Sequence, residues 1–118
     1  MVRILLRVYL NSDRPLGPGK VRLLESIGES GSISEAARSM KMSYRSAWLL
    51  VDSMNSQFAE AVVKTKLGGR GGGAARLTSF GRAVTECYRR MERAAERAIA
   101  KDLAELERGL RVRSRRPG

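Results

Sequence analysis

The alternation of hydrophobic and polar positions predicts a strand at the start of the chain, followed by a loop and a helix. Hydrophobic side chains recur at every second position between residues 2 and 10, which is typical of a strand with one buried face. Residues 11–19 are rich in proline and glycine and predict a loop. Residues 20–29 predict a helix that ends at Ser30 and Gly31, where glycine suits a left-handed terminal position. The inward side chains would be Val2, Ile4, Leu6, Val8 and Leu10 in the strand, and Val21, Leu24 and Ile27 in the helix.

The stretch from residue 31 to residue 55 predicts two further helices joined by a short turn. Ser32 and Glu35 have the spacing of a capping box, in which the serine accepts a backbone N–H and the glutamate reaches back. The apolar pattern breaks at residues 41–43, and Ser43 can cap a second helix that runs to about residue 59. Together these elements predict a helix-turn-helix. The apolar stripes are Ile33, Ala36, Ala37 and Met40, and then Ala47, Leu50, Val51 and Met54.

The first turn of the second helix offers polar side chains to a partner. Ser43, Tyr44, Arg45 and Ser46 lie where a recognition helix presents side chains to the major groove of DNA. We therefore predict that these four residues bind DNA and that Arg45 contacts a base edge. An ordinary helical hairpin with a solvated polar face is the alternative, because two helices and a turn are a common arrangement.

A glycine-rich hairpin follows the helix-turn-helix. Residues 61–66 are rich in β-branched side chains and predict a short strand, and residues 74–77 can return as a second strand. Between them, residues 68–73 (GGRGGG) form a tip whose glycines let the backbone approach a phosphate or a groove. We predict a wing that binds DNA through four cations, which are Lys64, Lys66, Arg70 and Arg76.

The glycine tip has two other interpretations. Residues 69–74 match the relaxed dinucleotide fingerprint G-x-G-x-x-[GA], but no complete βαβ unit surrounds them. No G-K-[ST] follows either, so we reject a nucleotide site. A mere flexible linker remains the simpler alternative to a wing.

A long amphipathic helix is predicted from Thr78 or Ser79 to Leu110. It would be about 45 Å long, which is more than the compact part of the chain can cover. A second copy of the chain is the economical cover for its apolar stripe, and a solvated monomeric helix is the alternative. The stripe consists of Val84, Tyr88, Met91, Ala95, Ala98, Ile99, Leu103, Leu106 and Leu110. We assign dimerisation to Met91, Ile99, Leu103, Leu106 and Leu110.

These elements predict a fold that is mainly α with a small β component. They divide the chain into three parts: a strand plus a winged helix-turn-helix DNA-binding domain at residues 1–77, a long C-terminal dimerisation helix at 78–110, and a basic, disordered tail at 111–118.

Charge and residue usage narrow the possible functions. A net charge of +11 in 118 residues predicts a polyanionic partner, although a membrane surface could also attract such a chain. The absence of histidine removes Ser-His-Asp catalysis, Cys-His catalysis and every histidine metal site. Cys87 stands alone without a base, so we expect no enzyme, no cofactor and no metal. A single cysteine favours a reducing cytoplasm, and neither a membrane span nor a signal peptide is expected.

The order strand, helix, helix-turn-helix, wing and long helix is that of a winged helix-turn-helix. The sequence resembles the N-terminal DNA-binding domain of ModE-type molybdate-responsive regulators over most of residues 1–108. The run at residues 36–43 (AARSMKMS) is similar, more distantly, to LysR-type DNA-binding domains. The resemblance is carried by residues 31–37 (GSISEAA), 43–48 (SYRSAW), the pair Met54-Asn55, residues 68–74 (GGRGGGA) and residues 77–81 (LTSFG).

This resemblance implies a dimeric bacterial transcription regulator at the nucleoid, linked to molybdenum or tungsten metabolism. In the family, the recognition helix and wing bind a palindromic operator, and the long helix and N-terminal strand contribute to dimerisation. By position, residues 43–48 begin the recognition helix, in which Trp48 is either a packing residue or a contact. Full-length members bind molybdate with additional C-terminal β domains, whereas this sequence ends at Gly118. It is either a short stand-alone member or a piece of a longer protein, and its effector is unknown.

Two other function classes compete with a sequence-specific regulator. One is a nonspecific nucleic-acid-binding or RNA-binding protein, and the other is a helical adaptor that dimerises. The concentration of cations on the wing and tail favours the regulator over the adaptor. Directional hydrogen-bonding groups at residues 44–46 favour base-edge recognition over nonspecific binding. Six aromatic residues in all, two Phe, three Tyr and one Trp, provide little of the stacking surface that RNA recognition often uses.

Overall fold

The computed structural model describes residues 2–66 and 74–111 of the chain. Within them it contains five helices and one antiparallel sheet of two short strands, which confirms the predicted fold class. In chain order the elements are α1 (Pro18–Ser30), α2 (Ile33–Ser39), α3 (Tyr44–Gln57), β1 (Val63–Thr65), β2 (Ala75–Leu77), α4 (Ser79–Ala98) and α5 (Ala100–Arg108).

Helices α1, α2 and α3 enclose the core, and the sheet and the first half of α4 close it. Helix α1 contributes four completely buried side chains, one of which, Leu23, lies outside the predicted stripe. Full burial of such a side chain contributes about 1.5–3 kcal/mol, so this cluster is the main source of stability. Its buried hydrophobic members are Leu16, Val21, Leu23, Leu24, Ile27, Ile33, Ala36, Ala37, Ala47, Val51, Met54, Val62, Val63, Ala75, Leu77 and Tyr88.

Local sequence signals set the ends of the helices. Ser32, Ser43 and Thr78 each accept a hydrogen bond from the backbone N–H three residues later, at 3.1, 3.0 and 2.8 Å. Gly31 ends α1 with a φ of 72°, the left-handed conformation that favours glycine. The capping box is only half formed, because the N–H of Ser32 donates to the Ser30 hydroxyl (3.3 Å) and not to Glu35.

The prediction of an N-terminal strand is wrong. In the described part of the chain, residues 2–7 belong to no sheet, and the segment has one isolated antiparallel bridge, between Val8 and Leu16. Partly buried and exposed positions nevertheless alternate as predicted up to Tyr9, whereas Leu10 is exposed. Leu6 and Val8 pack directly on the core without a neighbouring strand. The hydrophobic alternation therefore reports burial, which does not require a hydrogen-bonded ladder.

The prediction of one continuous helix over residues 78–110 is also wrong. Ile99, with a φ of −110° and a ψ of 13°, separates α4 from α5. Ile99 forms one hydrogen bond to each side of the break: its N–H donates to the Ala95 carbonyl (3.1 Å), and its carbonyl accepts from the N–H of Leu103 (2.9 Å). Neither glycine nor proline marks this position. The break lies beyond Tyr88, the last buried side chain of α4, where core packing no longer supports the helix.

The wing is described at its base. Strands β1 and β2 are antiparallel, and Ala74 forms an isolated bridge with Ser32 beside them. Residues 67–73, which include Arg70, and residues 112–118 of the predicted tail lie outside the described residues. Among the helices that the structure describes, none combines the length and hydrophobicity needed to cross a membrane.

Candidate nucleic-acid interface

Helix α3 presents the predicted recognition residues on the side opposite its core contacts. Tyr44, Arg45 and Ser46 are exposed, while Ala47 and Val51 on the other side are buried. Because these buried contacts and the N-terminal cap fix the helix, its first turn is held in one orientation. The structure thus brings three of the four predicted residues together on one accessible surface.

Ser43 has a different role from its neighbours. Its hydroxyl accepts a hydrogen bond from the N–H of Ser46 (3.0 Å) and donates one to the Ser46 hydroxyl (2.9 Å). Both of its local hydrogen-bonding functions are therefore used to form the start of α3. A cation that the sequence pattern did not single out lies just before it. Lys41 is exposed in the turn and has a positive φ of 58°, a conformation that is uncommon for residues other than glycine.

The wing places two cations directly opposite each other. In the register of β1 and β2, Lys64 is paired with Arg76, and both side chains are exposed. Like charges at directly opposite positions of an antiparallel pair are destabilising. Within the described residues neither cation belongs to an ion pair. Lys66 is exposed beside them, and its backbone N–H donates to the Ala74 carbonyl (3.0 Å).

Asn55 joins the recognition helix to the wing. Its side-chain oxygen accepts hydrogen bonds from the N–H groups of Val62 (2.8 Å) and Val63 (3.3 Å), and its amide donates to the Val63 carbonyl (3.1 Å). These three bonds fix the start of β1 against α3. In the sequence, Asn55 is recognisable only as part of the Met54-Asn55 motif, and its position near the end of an amphipathic helix does not indicate this role.

The start of α4 holds the same backbone from the other side. The Thr78 hydroxyl donates to the Ala61 carbonyl (2.7 Å), and the Thr78 N–H donates to the Val62 carbonyl (3.0 Å). Gly81 allows this close approach, because a Cβ atom there would collide with the Val62 carbonyl oxygen. The base of the wing is thus held between α3 and α4, so the start of β1 has a fixed position relative to the recognition helix.

Ion pairing in the described part of the chain is concentrated away from this surface. Arg89 on α4 donates to Glu25 on α1 (2.9 and 3.0 Å) and to Glu92 (2.8 Å). The hydrogen bonds from Arg89 lower the pKa of the Glu25 carboxyl, and burial opposes them only in part. Arg89 itself has a raised pKa. This network joins α1 to α4. Arg45, Lys64, Lys66 and Arg76 form no ion pair within the described residues.

Metal ligands and nucleophiles are sparse on the described surface. Residues 2–66 and 74–111 contain no group of three or more His, Cys, Asp or Glu side chains that could hold a metal ion. Cys87 is a free thiol exposed on α4. A hollow along the base of the wing is lined by Lys64, Lys66 and Arg76 together with Gly31, Thr65, Ala74 and Ala75. The three cations in this lining suit an anion.

The chain is similar in sequence to curated ModE proteins. ModE from Azotobacter vinelandii, described as a molybdenum transport protein, is 40% identical over 92 residues, covering 76% of this chain and 34% of that protein. The transcriptional regulator ModE of Haemophilus influenzae is 36% identical over 96 residues, covering 81% and 38%. This chain is homologous to the N-terminal part of ModE transcriptional regulators. The DNA-binding transcriptional dual regulator ModE of Escherichia coli is 38% identical over 85 residues, covering 72% and 32%.

The predicted resemblance to ModE-type regulators is thereby confirmed. The chain spans only about a third of the length of these relatives. No protein-family model matches it. The relatives are named as regulators and molybdenum proteins, which agrees with the prediction that the chain is not an enzyme.

Solved structures confirm the winged-helix fold. The DNA-binding domain of CbnR, in a crystal structure with DNA, aligns with a TM-score of 0.58 and 17% identity, covering 75% of this chain and 95% of that one. Full-length CbnR with its target DNA aligns with a TM-score of 0.53 and 18% identity, covering 71% and 27%. These are LysR-type proteins, as the more distant resemblance implied. At such low identity the likeness concerns the fold alone.

Proposed function

We propose that this chain is a dimeric, sequence-specific DNA-binding transcriptional regulator of the ModE type. Helix α3 would enter the major groove with Tyr44, Arg45 and Ser46, while Lys64, Lys66, Arg70 and Arg76 on the wing hold phosphates or the minor groove. Ser43 would shape the start of the helix. Acting on chromosomal DNA would place the protein in the bacterial cytoplasm at the nucleoid.

The observation that carries this proposal is the opposed pair Lys64 and Arg76. Two exposed like charges across a two-stranded sheet repel each other, and no carboxylate in the described residues relieves them. A phosphate between or beside them would convert the repulsion into two favourable contacts, with release of counterions. The clamp through Asn55 holds this pair in a fixed relation to α3, as simultaneous groove and backbone contacts require.

The second part of the proposal concerns assembly. Met91, Leu106 and Leu110 are 39%, 63% and 60% exposed, and Ile99 and Leu103 are only partly covered. Pairing of α4 and α5 with a second copy would bury them. A two-fold dimer would present two recognition helices to an inverted repeat, with half-sites about 10–10.5 bp apart or a multiple of that spacing.

A link to molybdenum or tungsten metabolism is proposed from the names of the relatives alone. Nonspecific nucleic-acid binding and a purely dimerising adaptor are the competing functions. Selection of bound fragments from random duplex DNA separates all three. A regulator should enrich one inverted repeat, a nonspecific binder should enrich no common sequence, and an adaptor should retain no DNA.

The role of Arg45 is tested on the enriched duplex. Arg45→Ala should weaken binding by about 1–3 kcal/mol and relax the preference at one base pair of each half-site. Arg97→Ala is the matched control, because Arg97 is also exposed but lies about 27 Å along the helix from the start of α4. It should leave the base preference unchanged. An equal loss for Arg45→Ala on every sequence would assign Arg45 to a phosphate.

A further inference from the structure

Trp48 is the single tryptophan of the chain, yet it does not belong to the core. It is 43% exposed on α3, whereas Tyr88, the largest of the fully buried side chains among the described residues, has no exposure. The ring borders a shallow hollow between α3 and β1 that is also lined by Val63 and Thr65. Packing explains part of its surface, but the exposed part has no function within the chain.

The exposed part of Trp48 belongs to a larger apolar patch on the solvent-exposed side of α3. Tyr44, one turn earlier, is 46% exposed, and Leu49 is 47% exposed. Residues four apart on a helix are neighbours, so Tyr44, Trp48 and Asp52 form one row, with Arg45 and Leu49 in the next row. Apolar groups grouped on one exposed face usually mark a binding surface.

The charges around the patch decide between a phosphate and a base edge as its target. Asp52 is exposed on the same row and is in no ion pair within the described part of the chain. A carboxylate placed against the DNA backbone would repel the phosphates. At the floor of the major groove it faces base edges and can accept a hydrogen bond from cytosine N4. The row of Trp48 therefore fits the middle of the groove, where the apolar group on offer is the thymine methyl.

We propose that Trp48, together with Leu49, is a specificity-determining residue that contacts thymine methyl groups next to the base read by Arg45. This inference rests on the proposed function. It states that each half-site carries thymine at a fixed distance from the base pair whose preference Arg45 sets.

The test removes one methyl group at a time. In the duplex enriched by the unmodified protein, each thymine is replaced singly by deoxyuridine, which lacks only the 5-methyl group, and binding is measured by fluorescence anisotropy. At one or two positions in each half-site the affinity should fall about fourfold, the effect of one buried methyl group. Trp48→Ala should weaken binding and abolish the deoxyuridine effect, and Trp48→Phe should retain part of it.

Tyr9→Ala is the matched control, because Tyr9 is an exposed aromatic residue outside α3. It should keep the full deoxyuridine effect, and circular dichroism checks that each variant is folded. A folded Trp48→Ala protein with unchanged deoxyuridine sensitivity would overturn the proposal, as would unchanged affinity, which would leave the patch to a protein partner. If the unmodified chain enriches no duplex, the proposed function itself fails, and this outcome is distinct from the others.

Discussion

The first half of α4 and the whole of α5 carry similar apolar stripes but have opposite surroundings. Gly81, Thr85 and Tyr88 are buried against the rest of the domain, whereas no residue of α5 is buried. Leu106 is 63% exposed, although leucine at a helical spacing is equally suited to a core. The difference teaches that a hydrophobic stripe shows only that some surface must cover it. For the first half of α4 that surface is in the same chain; for α5 we propose that it is a second copy.

The largest effect should come from charging the uncovered stripe. Leu103→Glu combined with Leu106→Glu should convert a dimer into folded monomers, because each leucine covered in the dimer contributes about 1.5–3 kcal/mol. Ala100→Glu with Ala104→Glu adds the same charge to exposed alanines outside the stripe and should leave the dimer intact. Sedimentation velocity reports the assembly of both variants. Dimers in both would show that α5 is not the interface.

The second largest effect should come from shortening a core side chain, which should destabilise the protein far more than the same change on α5. Leu24→Ala, at a position with no exposure, should lower the free energy of unfolding by about 2–5 kcal/mol. Leu106→Ala, measured at a concentration low enough to dissociate dimers, should change it by less than about 0.5 kcal/mol. Urea denaturation gives both values. Equal losses would mean that α5 packs on its own domain in solution.

The attachment of the N-terminal segment to α4 should have a smaller effect. The Tyr88 hydroxyl donates a hydrogen bond of 2.6 Å to the Leu6 carbonyl, so Tyr88→Phe should lower the free energy of unfolding by about 0.5–1.5 kcal/mol. Burial also raises the pKa of Tyr88. Tyr9→Phe removes an exposed hydroxyl and is the control, expected to be neutral. If both variants unfold alike, the contact contributes nothing.

The smallest effect should be the pH dependence of the α1–α4 ion pair. Because Arg89 lowers the pKa of Glu25 below its ordinary 4.5, the folded state binds fewer protons than the unfolded state. The stability that the ion pair contributes is fully present above about pH 4.5, the ordinary pKa of the carboxyl, and is lost as the pH falls through the lowered pKa of the folded state. Glu25→Gln should therefore reduce the difference in stability between about pH 7 and pH 3, by less than about 1 kcal/mol because the pair is partly exposed. An unchanged difference would assign the pH dependence to other carboxylates.

Features that depend on a few neighbouring residues could be predicted from the sequence. The caps at Ser32, Ser43 and Thr78 and the left-handed Gly31 are local, because each is decided within three or four residues. The helix-turn-helix follows from them. The absence of strand pairing at residues 2–7 could not be predicted. A strand needs a hydrogen-bonded neighbour, and hydrophobic alternation does not indicate whether such a neighbour exists.

The sequence predicted which residues form the candidate site, but it did not predict how they are arranged in space. Arg45 and the wing cations are recognisable from their positions, but the opposition of Lys64 and Arg76 depends on the register of two strands separated in sequence. The Asn55 clamp likewise joins residues whose contact arises only when the wing folds back on α3. Contacts between residues that are distant in the chain produce no periodic pattern of hydrophobic and polar residues in a single sequence.

The central claim is that two copies of this surface act together on one DNA site. The most direct measurement is the binding and stoichiometry of the unmodified protein on the enriched duplex and on versions whose half-sites are moved apart. Two chains should bind each duplex, with affinity lost when about 5 bp are inserted and regained near 10 bp, a full helical turn. One chain bound with equal affinity to a single half-site, indifferent to the spacing, would contradict the account.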